Sequence, residues 1–327
     1  MNLNKLDIYR EVVGLDMLHA LQKSLRQYQP WLEFQELNRE GWFQAWQRAG
    51  IQQLILNTQP IRTAKTGSVE VRVLTWRRDW LNTIWSLKSF YYYAEVDYPL
   101  FIHDGGLKPI QIEWLKTHFP DAIIITKNEA DTYVLPELKQ QKLDRCFAYR
   151  HGSPFGRRLI DFYLMSDANA VITIDADVIF FNKPNELIVS SNEVAKNKYN
   201  KDMSYYYSMK IDEIVSAFGI QPVSLINAGL SLVWQESVDF NKMNEWLANP
   251  KLFGESWLTE QTIHALLSTI YGVELLPETY RLGTTPGLDN NSISKHYPSR
   301  TALLYQEGMQ HLIKTGFIDA LSACTGQ

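Results

Sequence analysis

Short apolar runs recur along the chain and are separated by segments in which apolar residues have helical spacing. The runs predict strands at VEVRVLT (69–75), YPLFIHD (98–104), DAIIIT (121–126), VITID (171–175) and LINAGLSLVW (225–234). The segments between them predict helices at residues 79–91, 108–118, 155–166 and 259–270. This alternation predicts an α/β fold with a mostly parallel, doubly wound sheet.

Residues 1–68 have a different pattern, with an apolar stripe of helical spacing from Ile8, a second helix near Trp42 and a polar linker at the end. We therefore predict a helical extension at 1–68 and a main domain at 69–327. A stripe of this size is expected to be buried against the main domain, a second subunit or a membrane surface. The polar segment 294–300 predicts a loop before a last helix.

Charge, cysteine content and the length of apolar runs limit the partners and the location that we expect for the protein. The 327 residues carry a net charge of -4 and no basic tract, which argues against nucleic acid as a partner. The two cysteines, Cys146 and Cys324, lie far apart and form no metal or redox motif, as expected in a reducing compartment. No apolar run has the length of a membrane span or the form of a signal peptide. We expect a cytoplasmic protein, with peripheral association at the inner membrane surface left open and no oligomeric state indicated.

Two carboxylates follow the predicted strand at 171–175, in the run VITIDADVIFF. At strand spacing Asp175 and Asp177 share a face, and two like charges at this distance repel each other. A divalent cation removes the conflict, and Mg²⁺ or Mn²⁺ also leaves coordination sites open for phosphate oxygens. A D-x-D sequence is also common in solvated turns, but the apolar runs on both sides favour a metal at the carboxyl end of the sheet, where ligands of α/β proteins bind.

Further motifs follow in a fixed order: Asn227-Ala228-Gly229, then Glu260-Gln261 at the start of a helix, then Lys295-His296-Tyr297. Over residues 69–300 this order resembles the GT-A class of nucleotide-sugar glycosyltransferases. It is most similar to glycosyltransferase family 8, which includes glycogenin and bacterial lipopolysaccharide galactosyltransferases. The resemblance implies a GT-A fold and metal-dependent transfer of a sugar, a hexose in the first instance, from a nucleoside diphosphate donor to a hydroxyl of a glycan, lipid-linked or small acceptor.

The resemblance also implies roles for matching residues. Asp175, Asp177 and His296 correspond to the metal ligands, and a histidine beside two carboxylates favours Mn²⁺ over Mg²⁺. The other matching residues are implied to bind the donor or to act in catalysis: Asp175, Ala176, Ala228 and Gly229 at the donor, and Asn227, Glu260 and Gln261 at the reacting sugar. Plain alternatives stay open, namely a solvated loop histidine, a β-bulge without a ligand at 227–229, and a helix N-terminus at Glu260 with Thr259 as its cap.

Five more residues are assigned to donor binding by their position alone. Thr75 and Asp104 end the first two predicted strands, and Arg157, Arg158 and Asp161 lie just before the strand that carries the carboxylates. An arginine there is suited to neutralise a diphosphate, because its planar fork matches phosphate oxygens. Two adjacent arginines on a helix are also compatible with a solvated face.

The chain departs from the family pattern at two places, and two other classes of protein stay open. Glu260 stands where family members have aspartate, and H-Y-P-S-R replaces the family ending H-x-x-G-x-x-K-P-W. One alternative is a sugar nucleotidyltransferase, although the loop TWRRDW (75–80) lacks the glycines of its phosphate loop. The other is a non-catalytic scaffold, against which the D-x-D with a late histidine argues. Retaining and inverting mechanisms both stay open, as do the base, the sugar and the acceptor.

Overall fold

The computed structural model of the chain describes residues 42–190, 194–254, 257–298 and 302–323. These residues form two compact units, one from within 1–59 and 299–327 and the other Pro60–Pro298. This division differs from the predicted one in grouping the last helices with the N-terminal segment. The predicted helix that begins at Ile8 lies outside the described residues, so the packed extension stays a prediction.

Strands and helices alternate along most of the described chain. The strands are β1 (Val69–Thr75), β2 (Leu100–Asp104), β3 (Ile123–Ile125), β4 (Ala170–Ile174), β5 (Val178–Phe180), β6 (Asn197–Lys201), β7 (Ile226–Trp234), β8 (Val273–Leu275), β9 (Tyr280–Leu282) and β10 (Ser294–His296). The helices are α1 (Trp42–Gln53), α2 (Trp80–Ala94), α3 (Pro109–His118), α4 (Lys127–Gln140), α5 (Asp144–Gly152), α6 (Pro154–Leu164), α7 (Ile211–Phe218), α8 (Phe240–Trp246), α9 (Trp257–Tyr271), α10 (Gln310–Lys314) and α11 (Phe317–Ala323).

A seven-stranded sheet in the order β3-β2-β1-β4-β7-β6-β8 forms the centre of the unit Pro60–Pro298. Strands β1, β2, β3 and β4 are parallel to one another, whereas β7 runs antiparallel to β4. Every residue of β1 and β4 is buried, as expected for central strands covered on both faces, and the two charged residues of β1, Glu70 and Arg72, form a buried ion pair. The predicted α/β class with a mostly parallel sheet is confirmed.

A second, three-stranded sheet in the order β5-β10-β9 lies directly after the predicted D-x-D. Strand β10 is antiparallel to β5, and their register pairs His296 with Val178. The prediction of a loop throughout 294–300 is therefore wrong for Ser294–His296, which forms β10. Its three residues are all buried, and strand pairing satisfies backbone groups that a buried loop would leave unpaired.

Strand β6 was not predicted, because its sequence NKYNK has none of the apolar alternation of a strand. Four of its five residues are nevertheless buried, and polar partners explain this. The Asn197 amide donates to the hydroxyls of Ser237 and Ser268 at 2.9 Å, and its oxygen accepts from the Trp234 N–H at 2.8 Å. Buried polar side chains with such partners avoid the penalty of desolvation.

The other compact unit contains α1, a π-helical turn at Leu304–Met309, α10 and α11. The backbone N–H of Gln59 donates to the carbonyl of Leu321 at 3.0 Å, which ties the two ends of this unit together. The helix predicted near Trp42 is confirmed as α1. In the part of the chain that the structure describes, no helix combines the length and the apolar character needed to cross a bilayer.

Candidate active site

Asp175 and Asp177 lie in the turn between β4 and β5, and neighbouring strands fix their backbone. The Asp175 N–H donates to the Gly229 carbonyl at 2.8 Å, so β7 holds the first residue. The Tyr297 N–H donates to the Asp177 carbonyl at 2.9 Å, so the chain leaving β10 holds the other. Because two different sheets clamp this turn, the carboxylates are presented at the carboxyl end of β4 in one geometry.

His296 completes a group of three side chains whose ligand atoms all lie within 4.8 Å of one another. Its Nε2 is 3.2 Å from Asp177 Oδ1 and 4.0 Å from Asp175 Oδ2. Both carboxylates are half-buried and the imidazole is buried. The structure thus brings together the three residues that were predicted as metal ligands, although His296 lies more than a hundred positions after the two aspartates in the sequence.

Gly229 provides the space for this group. A Cβ on Gly229 would lie 2.8 Å from His296 Nδ1 and 2.9 Å from Asp175 Oδ2, closer than real side-chain contacts. Its backbone is not in the left-handed region, so the requirement is for space rather than for conformation. Glycine allows the backbone of β7 to approach a site closely, which was the reason for its prediction.

The charges of the group are unbalanced. Burial raises the pKa of the Asp175 carboxyl, Arg158 opposes this shift and Asp177 adds to it. Burial alone would lower the pKa of His296, but the carboxylates of Asp177 and Asp175 raise it more, and the net pKa is above the ordinary value. The group therefore favours an additional positive charge, whether this is a proton on His296 or a cation.

Arg158, on α6, makes three contacts at the site. Its Nη1 lies 2.8 Å from Asp175 Oδ1, its Nη2 donates to the Ala228 carbonyl at 2.7 Å, and its Nε lies 3.3 Å from Glu260 Oε1. Burial alone would lower the pKa of Arg158, but Asp175 and Glu260 raise it more, so the guanidinium stays charged. Because Oδ1 of Asp175 faces the arginine, Oδ2 is the oxygen left on the side of His296.

Glu260 is buried at the start of α9, with only 2% of its surface exposed. Burial raises the pKa of its carboxyl to about 7, although Arg158 opposes the shift. Its Oε1 forms no well-aligned hydrogen bond with Arg158 despite the short distance. The helix begins at Trp257, so the alternative role of Thr259 as its cap is wrong; the Thr259 hydroxyl donates to the Leu252 carbonyl at 2.8 Å instead.

Asn227 and Gln261 meet at a carboxylate that sequence reasoning missed, that of Asp202. Oδ2 of Asp202 accepts from Asn227 Nδ2 at 2.9 Å and from Gln261 Nε2 at 3.3 Å. Gln261 Nε2 also donates to the Tyr206 carbonyl at 3.0 Å. The only sequence signal for Asp202 is its place in the polar, tyrosine-rich segment after β6, and that signal names no residue.

Three of the other predicted donor-binding residues have partners within the protein, and their role at the donor stays a prediction. The Thr75 hydroxyl is fully buried and lies 2.6 Å from that of Thr83, and Asp104 Oδ1 accepts the N–H of Gly106 at 2.6 Å in the turn after β2. Asp161 forms a buried bidentate pair with Arg150, at 2.9 and 2.8 Å. Two others lie beside the site residues in sequence and are half-buried: Ala176 and Arg157.

Comparison with known proteins defines the fold. No protein-family model matches the chain, and no curated protein sequence matches it. The structure of an active-site mutant of LgtC is 11% identical, with a TM-score of 0.50, over 79% of this chain and 98% of that chain. LgtC, a galactosyltransferase, in complex with donor and acceptor sugar analogues is 14% identical, with a TM-score of 0.49, over 78% and 96%. Mouse xyloside xylosyltransferase 1 in its apo form is 12% identical, with a TM-score of 0.47, over 71% and 98%. The predicted GT-A fold is confirmed.

Proposed function

We propose that this protein is a metal-dependent glycosyltransferase that moves a hexose from a nucleoside diphosphate donor to a hydroxyl of a glycan, lipid-linked or small acceptor. The observation that carries the proposal is the group Asp175, Asp177 and His296, with ligand atoms within 4.8 Å of one another at the carboxyl end of β4. In open α/β sheets this end is where ligands bind. The GT-A fold supports the same reaction class by analogy.

The residues present suit a divalent cation. Two carboxylates and one imidazole supply oxygen and nitrogen ligands, a set that Mn²⁺ accepts and that Mg²⁺ accepts less readily because of the nitrogen. Arg158 contacts Asp175 through Oδ1, which leaves Asp175 Oδ2, Asp177 and His296 to the cation. When bound, the metal would supply electrostatic stabilisation of the departing diphosphate.

The surrounding residues have separate tasks in this proposal. Arg158 holds Asp175 in place through Oδ1 and compensates the charge of Glu260, while its remaining N–H groups are available to the diphosphate. In this proposal the donor sugar would lie beside Asn227 and Gly229, which contact His296, and beside Gln261, which shares Asp202 with Asn227. Glu260 is buried and lies beside Arg158, so we assign it the task of holding that arginine in place.

The test is a screen of UDP-, GDP- and dTDP-sugars for release of the nucleoside diphosphate, with Mn²⁺ and with chelator. We expect release from at least one donor that requires Mn²⁺ and is absent from the Asp177→Asn variant. A folded protein that cleaves no donor with any divalent cation, or one whose activity is unchanged in the variant, would contradict the proposal.

A further inference from the structure

Asp202 is a buried carboxylate that accepts hydrogen bonds from two of the predicted site residues. Only 6% of its surface is exposed, and it follows β6 directly. Its Oδ1 accepts the Met203 N–H at 2.7 Å, and its Oδ2 accepts from the side-chain amides of Asn227 and Gln261. An ionised carboxylate only accepts hydrogen bonds, so each group that faces it must be a donor.

This requirement fixes the orientation of the Asn227 amide. Its Nδ2 must face Asp202, at 2.9 Å, which turns Oδ1 to the opposite side. There Oδ1 accepts the backbone N–H of Gly229 at 3.0 Å, and a backbone N–H can only donate. Both ends of the amide therefore have partners of fixed character, and the reversed orientation would oppose donor to donor at Gly229 and acceptor to acceptor at Asp202.

The Asn227 amide in turn fixes the tautomer of His296. Nδ1 of His296 lies 3.0 Å from Asn227 Oδ1, which accepts, so Nδ1 carries a hydrogen. In the neutral ring Nε2 is then the nitrogen with the lone pair, and Nε2 is the atom that lies 3.2 Å from Asp177 Oδ1. The lone pair of Nε2 and the carboxylate oxygens are all electron-pair donors, so they can be held together only by a cation between them.

We propose that Asp202 is a positioning residue for the metal site: through Asn227 it holds His296 in the tautomer whose Nε2 is free to bind a divalent cation. The same carboxylate orients Gln261, because the two N–H groups of the Gln261 amide point to Asp202 and to the Tyr206 carbonyl. This proposal rests on the proposed function, because it takes the group bound by Nε2 to be a metal ion. Outer partners of metal-bound histidines act in this way, and their loss typically costs about 10–100-fold in metal affinity.

The tautomer can be read directly, without metal or substrate. The ¹⁵N shifts of the imidazole nitrogens are recorded on the metal-free protein at increasing pH until the ring of His296 is neutral, because the neighbouring carboxylates raise its pKa above the ordinary value. The chain has 7 histidines, and the signal of His296 is identified by its loss in His296→Gln. We expect hydrogen on Nδ1 in the wild type and a mixture of tautomers in Asp202→Asn. Hydrogen on Nε2 in the wild type would overturn the proposal without any variant.

Mn²⁺ affinity is the second readout, measured by calorimetry or electron paramagnetic resonance. We expect Asp202→Asn to bind Mn²⁺ about 10–100-fold more weakly. The matched control is Asp239→Asn, where the aspartate caps α8 through the Lys242 N–H at 3.0 Å and asparagine is an equally good cap. The control is expected to keep wild-type affinity and tautomer.

Exchanging the two side chains provides a rescue. In the double variant Asp202→Asn, Asn227→Asp, the amide at 202 can donate to the carboxylate at 227, which can still accept from Gly229 N–H and from His296 Nδ1–H. We expect the tautomer to be restored and most of the Mn²⁺ affinity with it, whereas Gln261 is left without its acceptor at 202. A merely structural role for Asp202 predicts no such rescue.

The outcomes separate this proposal from the proposed function. Wild-type tautomer and affinity in a folded Asp202→Asn variant would overturn the positioning role, even if the enzyme transfers sugar. If the wild type binds no Mn²⁺ while His296 shows hydrogen on Nδ1 and loses it in Asp202→Asn, the positioning of His296 is supported and the metal-dependent function fails.

Discussion

His296 lies against Gly229, with Nδ1 only 2.8 Å from the point where a Cβ on that glycine would be. The contact joins β10 of the small sheet to β7 of the large one. It exists because the backbone of β7 carries no side chain at the position opposite Asp175, whose N–H donates to the Gly229 carbonyl. The same glycine thus aligns the backbone of one predicted metal ligand and leaves room for another.

Gly229→Ala should therefore displace His296 or Asp175. An added methyl in a packed environment typically costs about 1–3 kcal/mol, and we expect a loss of this size together with at least a tenfold loss of Mn²⁺ affinity. Chemical denaturation and calorimetry measure the two effects. Gly152→Ala is the matched control, because a Cβ there meets nothing within 4 Å and its φ is not positive. Equal Mn²⁺ affinity in both variants would show that the contact does not matter to the site.

His296→Ala should weaken Mn²⁺ binding by tenfold or more, because it removes the only nitrogen from the candidate ligand set. The variant also lacks the imidazole that lies 3.2 Å from Asp177 Oδ1, so the two carboxylates repel each other more strongly when no metal is bound. His151→Ala, at an exposed position on α5, is the control. If both variants keep wild-type affinity, His296 is not a ligand.

Glu260 should make the stability of the metal-free protein depend on pH. Burial raises the pKa of this carboxyl to about 7, so the folded state holds its proton more tightly than the unfolded state does. Between the ordinary glutamate pKa and 7 the folded protein therefore binds more protons, and its free energy of unfolding falls as pH rises. At about 1.36 kcal/mol per unit of pKa, the loss amounts to roughly 3 kcal/mol.

Glu260→Gln removes this titration. The stability of the variant relative to the wild type should rise by about 2 kcal/mol between pH 5 and pH 7.5, as measured by urea unfolding at both values. Glu278→Gln, with an exposed side chain, serves as the control and should show no such rise. A relative stability that is flat or that falls over this range would mean that the Arg158 pair outweighs the burial of the carboxyl.

The strands and helices that bury apolar faces could be predicted from the sequence. VEVRVLT gives β1 with the predicted bounds, and LINAGLSLVW differs from β7 by a single residue at its start. Strands β6 and β10 could not be predicted, because their side chains are polar and their burial depends on partners far away in the sequence. The Asn197 amide, for example, needs Ser237 and Ser268 to be satisfied.

Some residues of the candidate site could be predicted from the sequence, and others could not. The pair Asp175 and Asp177 is visible locally, since two carboxylates directly after an apolar strand conflict unless something compensates them. His296 was found by its resemblance to a family motif, and only the pairing of β10 with β5 explains its approach. Asp202 was missed because nothing in its neighbourhood in the sequence marks a carboxylate that accepts from Asn227 and Gln261.

The donor-binding roles assigned by position alone stay predictions, and the structure adds the protein partners of these residues. Asp161 lies one turn of α6 after Arg158 and forms a bidentate pair with Arg150. Arg150 is buried and also contacts Asp131, so the two aspartates compensate its charge. Only Arg158 of the two adjacent arginines contacts the carboxylates. Helix orientation decides this difference, and a single sequence does not specify it.

Binding of nucleoside diphosphates with and without Mn²⁺ tests the central claim most directly. Calorimetric titrations with UDP, GDP and dTDP are made on the wild type, on Asp177→Asn and on Asp167→Asn, an exposed aspartate at the opposite end of β4. We predict that at least one diphosphate binds the wild type and the Asp167→Asn control only when Mn²⁺ is present, and that Asp177→Asn loses this binding by tenfold or more while it stays folded. Diphosphate binding that is the same with and without Mn²⁺, or that survives unchanged in Asp177→Asn, would contradict the account.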